Sequence, residues 1–507
     1  MIKNITNMTW SNILTYQTKI KKKHNLDLLA GYEINSKESD GLGTTISNFA
    51  RWDKPEVNNG VVYQSMGGSN STTRIVSYIT RANYDYDNKY YLGASWRTDG
   101  SSRLARENRW GNFWSLSGAW RVSSESFMKP LQNWLSDLKL RVSYGVNGTL
   151  PSSYYGYMGL SSLTSNYNDN PGITQSQLEN KELTWETNYN FNSGIDLGFF
   201  DNRLNVTFEY YVRTTKNLLY SRPLSLATGF SSYLANIGKL QNKGYELEIR
   251  STNIETKDFR WSTSLNLGHN ANKILKLDGD LKQVTSGTSI HKVGLPYSTY
   301  YMIEFAGIDP VDGEPMFYKN TTDENGNLNK ETTKDPRSAE KVILQCADPT
   351  ITGGLGNSIS YKWFDLNFNV NFSFGAWNYD GAAGKLEHGG DGTLNIPIYY
   401  RKRWQKEGDE TSIERFVVGR SISMTDYATT RRLYSGDYVR LKNLTFGFTL
   451  PKTWTRKVGI DNIRLYASGN NLLTWAAYDY IDPESGSSPS WDTPPMRTYT
   501  FGLEVKF

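Results

Sequence analysis

Between Phe364 and Phe374 every even position is apolar (Phe364, Leu366, Phe368, Val370, Phe372, Phe374) and every odd position is polar (Asp365, Asn367, Asn369, Asn371, Ser373). A period of two sends the two sets to opposite faces of a β-strand, and a one-residue slip would exchange them, so the pattern fixes both conformation and facing. A sandwich strand averages about five or six residues, whereas crossing a bilayer at a tilt takes roughly nine to eleven, and this segment has the greater length. The alternation recurs in Leu204, Val206, Phe208, Tyr210 and Val212, then in Trp261, Thr263, Leu265 and Leu267, then in Leu444, Phe446, Phe448 and Leu450. It closes the chain in Tyr499, Phe501, Leu503, Val505 and Phe507.

About fifteen such segments, joined alternately by short and long connections, are the signature of an all-β transmembrane antiparallel barrel, weak in each segment and strong in repetition. Strands are expected near 11–20, 25–33, 74–86, 89–98, 112–121, 137–147, 185–198, 203–213, 243–251, 258–268, 352–361, 364–375, 437–450, 461–468 and 497–507. Tight connections such as Asp87-Asn88, Asp201-Asn202 and Tyr361 to Trp363 belong on the periplasmic side. The long ones, near 34–73, 148–184, 214–242, 269–351, 376–436 and 469–496, belong outside the cell. Two short-side turns, 122–136 and 451–460, are longer than the others.

Composition fits once alternation is allowed for. A hydrophobic fraction of 37% and a mean hydropathy of −0.59 look soluble, but barrel strands present lipid with every second residue only. No apolar run reaches the roughly eighteen residues of a transmembrane helix, so a bilayer would be crossed with strands. The 34 Tyr and 15 Trp suit interfacial girdles, although a sandwich core or a carbohydrate-binding surface would also use them. A net charge of +5 spread over the chain argues against a nucleic-acid partner, and the Lys19 to Lys23 run reads as a solvated turn. A single cysteine, Cys346, excludes an intramolecular disulfide and cysteine-type zinc clusters.

An odd strand count conflicts with the even number in single-chain bacterial barrels, so strands encoded before Met1 are expected. The opening MIKNITNMTW has neither the charged nor the apolar region of a secretory signal peptide. Several segments resemble one family, the SusC/RagA class of TonB-dependent outer-membrane transporters: LKLRVSYGVNGT at 138–149, ENKELTWETNYNFNSGIDLGFFDNRLNVTFEYYVRTTKNLL at 179–219 and NIGKLQNKGYELEI at 236–249. RWGNFWSLSGAWRVSSESFM at 109–128, AGIDPVDGEPMFY at 306–318, GDYVRLKNLTFGFTLP at 436–451 and NIRLYASGNNLLTW at 462–475 resemble it too, as does the terminal strand. The resemblance spans nearly the whole chain in order. It implies a twenty-two-stranded barrel with an N-terminal plug, of which residues 1–507 carry roughly the last fifteen strands and no plug, making the chain a fragment or truncated product. It also implies import of large nutrients, glycan oligosaccharides first and peptides as the alternative, with a SusD-like surface lipoprotein, the TonB complex and outer-membrane lipid as partners. Phe507 is marked by the same resemblance as part of an aromatic-ended assembly signal.

No catalytic constellation is legible, so an enzyme is not expected, nor a cofactor or metal. His24, His269, His291 and His388 lack paired metal spacing and read as solvated or structural. The Gly-rich stretches at 353–356 and 389–392 lack the lysine and helix of a phosphate loop and read as flexible loop. Asp323, Asn325 and Asn327 around Gly326 read as an Asx-rich turn ahead of a calcium loop, because the terminal Glu is missing. Sugars offer apolar C–H faces ringed by hydroxyls, which makes loop aromatics the natural contacts, and Trp377, Tyr379, Trp404 and Trp491 are the candidates. An adhesive surface barrel and a barrel hydrolase are the alternatives from other classes.

Overall fold

The computed structural model describes every residue except 1, 50, 52, 55, 169, 278, 280, 324, 325, 391–394, 420–426, 479, 486–492 and 494. Fifteen strands form one antiparallel sheet in which each hydrogen-bonds to its neighbours in sequence. They are β1 (Ile2–Ile20), β2 (His24–Phe49), β3 (Gly60–Tyr86), β4 (Tyr90–Ser101), β5 (Trp110–Arg121), β6 (Leu135–Thr149), β7 (Glu186–Phe199) and β8 (Leu204–Lys216). There follow β9 (Lys239–Glu255), β10 (Phe259–Lys276), β11 (Ile351–Tyr361), β12 (Phe364–Phe374), β13 (Tyr438–Thr449), β14 (Asn462–Ala476) and β15 (Thr498–Lys506). All fifteen expected strands are present. By contacts the chain divides into two compact units, one of Met1–Pro130, Lys139–Gly194 and Tyr211–Gln241, the other of Leu131–Leu138, Ile195–Tyr210 and Asn242–Phe507.

In the first unit β2 and β3 run far past their expected ends, pairing from His24↔Tyr86 to Phe49↔Gly60 with a register shift after Thr45 and Asn48 left out of the ladder. Residues 34–49 and 60–73 show little apolar alternation, so sequence pattern could not reveal them as strands. Backbone hydrogen bonds and polar cross-strand pairs hold them, Asn70 Nδ2 donating to Asp40 Oδ1 at 2.5 Å and Gln64 Nε2 to Ser47 Oγ at 3.2 Å. On the apolar face aromatic rows cross the strands. Trp10, Tyr32, Tyr78 and Trp110 follow one another at ring separations of 6.0, 5.1 and 6.2 Å. Tyr86, Tyr90 and Trp120 stack in succession at 6.4 and 6.3 Å beside the short connections. Such cross-strand rows are the unit of sheet stabilisation. The opposite face is polar: Arg97 Nε donates to Asp99 at 2.7 Å and its Nη2 to Ser77 Oγ at 2.9 Å, while Arg81 pairs with Asp27 at 3.2 Å. Leu104, Phe113, Val146, Leu183 and Trp185 form a buried cluster against which the 148–184 connection folds.

In the second unit β12 shows the two faces that its sequence demands. Phe364 stacks on Phe448 and Phe446 at 4.9 and 5.8 Å, and on the other face Asp365 pairs with Arg464 at 2.7 Å. One polar group sits where alternation calls for an apolar one. Asn357 pairs in register with Thr263 and with Phe368, and its Oδ1 accepts from Trp261 Nε1 at 2.9 Å and Thr263 Oγ1 at 2.8 Å. Asn253 Nδ2 donates to Thr263 Oγ1 at 2.7 Å, so these polar groups satisfy one another.

The glycines at 353–356 are a correction: they lie inside β11 rather than in a flexible loop, and a Cβ on Gly356 would come within 2.6 Å of Ser264 Oγ and 2.9 Å of Asn369 Oδ1. They make room for side chains reaching across the sheet. Along β15 the rings of Tyr499 and Phe501 are 68% and 83% exposed, and Phe507, one residue past the strand, is 91% exposed.

Candidate functional site

The connection between β12 and β13 builds a charged interior in the second unit. It opens and closes with a short ladder, Trp377–Tyr379 against Leu433–Ser435, which brings two distant parts of the loop together. Asp380 then caps the helix α1 (Gly381–Leu386): its Oδ1 accepts from Ala383 N at 2.7 Å and its Oδ2 from Tyr478 Oη at 3.2 Å. A carboxylate is favoured at this position by the free N–H groups of the first turn.

Beyond α1 lies an ion network. Glu414 has no solvent exposure and accepts from Tyr400 Oη at 3.0 Å and from Arg431 Nη1. Glu387 accepts from Tyr399 Oη and, at 3.3 Å, from Arg432 Nε, with Arg431 Nε at 3.7 Å. Burial works against the charge of Arg431, yet Glu414, Tyr400 and Glu387 around it carry its pKa above the ordinary guanidinium value. Burial, followed by the neighbouring carboxylates, raises the pKa of Tyr399, Tyr400 and Tyr478, so their hydroxyls remain protonated donors. Every buried carboxylate described here thus has a cation or hydroxyl aimed at it, which is what makes a buried charge tolerable.

Gly389 and Gly390 belong to this packing, which corrects their reading as flexible loop. Gly389 has φ +61° and faces Glu414 so closely that a Cβ would lie 2.8 Å from Oε1. Residues 391 and 392 lie outside the described residues.

An aromatic shelf adjoins the network. Tyr434 stacks on Tyr478 at 3.5 Å, Tyr478 meets Tyr480 at 5.3 Å, and Tyr480 meets Tyr399 at 5.4 Å. Tyr480 is 69% exposed, so the shelf ends in a free ring. Arg440, buried on the polar face of β13, fixes the segment that carries it: Nη2 pairs with Asp482 at 2.6 Å, Nη1 with Glu484 at 2.7 Å, and Nε donates to Thr474 Oγ1 at 3.0 Å. A ring held this way loses little freedom when a ligand stacks on it.

The four sequence candidates fall in different settings. Trp377 and Tyr379 are half-buried in the entry ladder. Trp404 donates from Nε1 to Pro310 O at 3.0 Å and packs on Gly313, joining this loop to the 309–314 turn, where Arg415 pairs with Glu314 at 2.7 Å. Trp491 lies outside the described residues. Sequence reasoning missed Tyr478, Tyr480, Glu414, Arg431 and Arg440, because their partners lie tens of residues away and no spacing announces them.

The histidines are structural where they stand. His24 Nδ1 lies 2.8 Å from Tyr84 Oη, His269 Nδ1 lies 2.6 Å from Thr350 O, His291 stacks on Tyr297 at 4.1 Å, and His388 Nδ1 accepts from Gly390 N at 3.2 Å. Asp323 and Asn327 close an Asx turn, with Asn327 N donating to Asp323 Oδ1 at 2.7 Å, and residue 325 lies outside the described residues.

A fifteen-stranded meander with one apolar and one polar face and long structured connections is the wall of a β-barrel. The chain belongs to the family described as TonB dependent receptor-like, beta-barrel, which it matches over residues 3–472. It is 34% identical to TonB-dependent receptor P3 of Formosa agariphila over the whole chain and 53% of that protein. It is 30% identical to TonB-dependent receptor SusC of Bacteroides thetaiotaomicron over 85% of the chain and 44% of that protein. Among solved structures it is similar to the RagAB peptide transporter, with a TM-score of 0.86, 28% identity and coverage of 100% of this chain and 56% of that one. The chain therefore spans about half the length of the curated relatives that it matches. The named relatives are TonB-dependent receptors, and the matched solved structure is described as a peptide transporter.

Proposed function

We propose that this chain is the barrel part of an outer-membrane active importer of large nutrients, with glycan oligosaccharides as the first substrate class. A SusD-like surface lipoprotein and the TonB complex, acting through a plug, are its proposed partners. The observation that carries this reading is the TM-score of 0.86 to RagAB across the entire chain. The glycan preference draws on the tyrosine shelf beside Asp380 and Glu387, since rings take the C–H face of a sugar while carboxylates and hydroxyls take its edge. Tyr480 is proposed as the leading contact, with Trp377, Tyr379, Trp404 and Trp491 as further contacts, and Phe507 as the assembly signal. Peptide import is the second reading, favoured by the description of RagAB as a peptide transporter.

The test is uptake by a strain deleted for the full-length gene and complemented with it. Labelled oligosaccharide and labelled peptide are offered separately, with and without TonB. Growth or uptake restored on oligosaccharide only in the presence of TonB supports the reading. Restoration on peptide alone supports the second, and restoration independent of TonB contradicts both.

A further inference from the structure

The connection between β13 and β14 lies on the short side, yet it is longer than a tight turn and carries an ordered structure of its own. Leu450 N donates to Ile463 O at 2.8 Å where the strands end. The chain then forms a short helix, Lys452–Thr455, continues as a 3₁₀ turn, Arg456–Val458, and leaves through Gly459 at φ +73°. Thr455 is 1% exposed, with its Oγ1 within 3.5 Å of Lys452 O and 3.4 Å of Asp461 O, so this side of the turn is anchored inward. Trp454, its immediate neighbour, is 59% exposed.

Other exposed aromatics surround the base of this turn. Thr449 N donates to Trp363 O at 2.8 Å, and Asp461 N donates to Lys506 O at 2.9 Å, next to Phe507. Trp363 and Tyr361 are 46% and 51% exposed. Amphipathic rings in such a row are at home at a headgroup boundary, with the ring in the apolar part and the N–H toward water.

Charge completes the picture. Lys452, Arg456 and Lys457 stand within six residues, and Asp461, 3.4 Å from Lys452 Nζ, is the only acidic group paired with any of them among the described residues. Trp454 and Lys457 are spaced i, i+3 and share a side of the turn.

We infer that this connection is a phospholipid-binding anchor that inserts Trp454 at the inner-leaflet interface and offers Arg456 and Lys457 to the phosphates of anionic phospholipids. The inference rests on the outer-membrane reading above. A cation near an anionic leaflet changes partitioning roughly fivefold, so the two free cations together shift it by more than tenfold.

The experiment is native mass spectrometry of the full-length protein purified from the outer membrane, with phosphatidylglycerol and phosphatidylcholine supplied at equal concentration. Wild-type protein is expected to retain phosphatidylglycerol more than tenfold over phosphatidylcholine. Arg456→Gln with Lys457→Gln brings retention to near parity with an unchanged heat-denaturation midpoint, and Trp454→Ala lowers retention of both lipids. Equal retention of phosphatidylglycerol by wild type and the double variant overturns the anchor, as does its displacement by inorganic phosphate. Recovery of the wild-type protein outside the outer-membrane fraction instead overturns the membrane reading on which the anchor depends.

Discussion

At the Phe374/Tyr438 end of the β12–β13 pair, Glu414 is wholly buried and held by Tyr400 and Arg431. At the Phe364/Thr449 end, Trp454 is 59% exposed and the cations beside it face outward. The long connection is a small folded interior that satisfies its own charges. The short one has an ordered backbone of helix and 3₁₀ turn but leaves Trp454, Arg456 and Lys457 to be satisfied by the surroundings. One pair of strands thus ends in two different boundary conditions, in keeping with the proposed ligand-binding mouth at one end and the proposed lipid anchor at the other.

The largest way to break the comparison is at Glu414. Glu414→Gln removes the nearer carboxylate from Arg431 and leaves it the longer contact to Glu387 at 3.7 Å, and losing one partner of a buried pair costs about 3–5 kcal/mol. The 376–436 connection of the full-length protein is then expected to become protease-sensitive while the barrel stays folded. An Arg456→Gln protein should show the wild-type digestion pattern, and equal digestion of both variants would erase the difference between the two ends.

A smaller effect sharpens the contrast between faces. Phe368→Arg places a charge on the apolar face of β12 at a cost of about 2–4 kcal/mol near a bilayer midplane, whereas Asn369→Arg leaves its charge hydrated. Folded yield in lipid vesicles should fall for the first only. Smaller still, Tyr480→Ala removes one stacking ring, for which about 0.5–1.5 kcal/mol is typical, so half-saturation of uptake should rise by roughly twofold to twelvefold with the maximal rate unchanged. Tyr480→Phe should behave as wild type, and a fall in maximal rate would assign Tyr480 a different role.

The smallest effect concerns pH. Hydrogen bonds from Lys334, 2.6 Å from both Asp309 and Asp312, hold these carboxyls below their ordinary values. Their folded pKa values are depressed, so the stabilisation is complete above the unfolded values near pH 4 and fades as pH falls through the folded ones. Both carboxyls stay partly open to solvent, and screening keeps the effect small. Amide protection factors in the 309–314 turn, taken relative to intrinsic exchange at each pH, should fall on acidification in that window, and Lys334→Gln should remove the dependence.

Strands β12 and β15 were legible because half of their residues must be apolar to face one side of the sheet. The far halves of β2 and β3 were not, since Asn70, Asp40, Gln64 and Ser47 pair through polar groups that look like loop. Asn357 broke the alternation and is explained only by the donors that reach it from β10. Of the site, aromatic loop residues were visible as a class, but no local pattern links Glu387 to Arg432 or Arg440 to Glu484. Those pairs exist because the fold closes long connections, and their members carry no mark in sequence.

The central claim is that alternating residues of one strand face lipid and water. It is tested most directly by single cysteines placed in turn at 365 through 373, in full-length protein with Cys346→Ser, embedded in membranes and treated with a water-soluble maleimide. Labelling is expected at 365, 367, 369 and 371, and protection at 366, 368, 370 and 372 and at 373, where Ser373 is buried. Uniform labelling along the segment, or the reverse alternation, would contradict it.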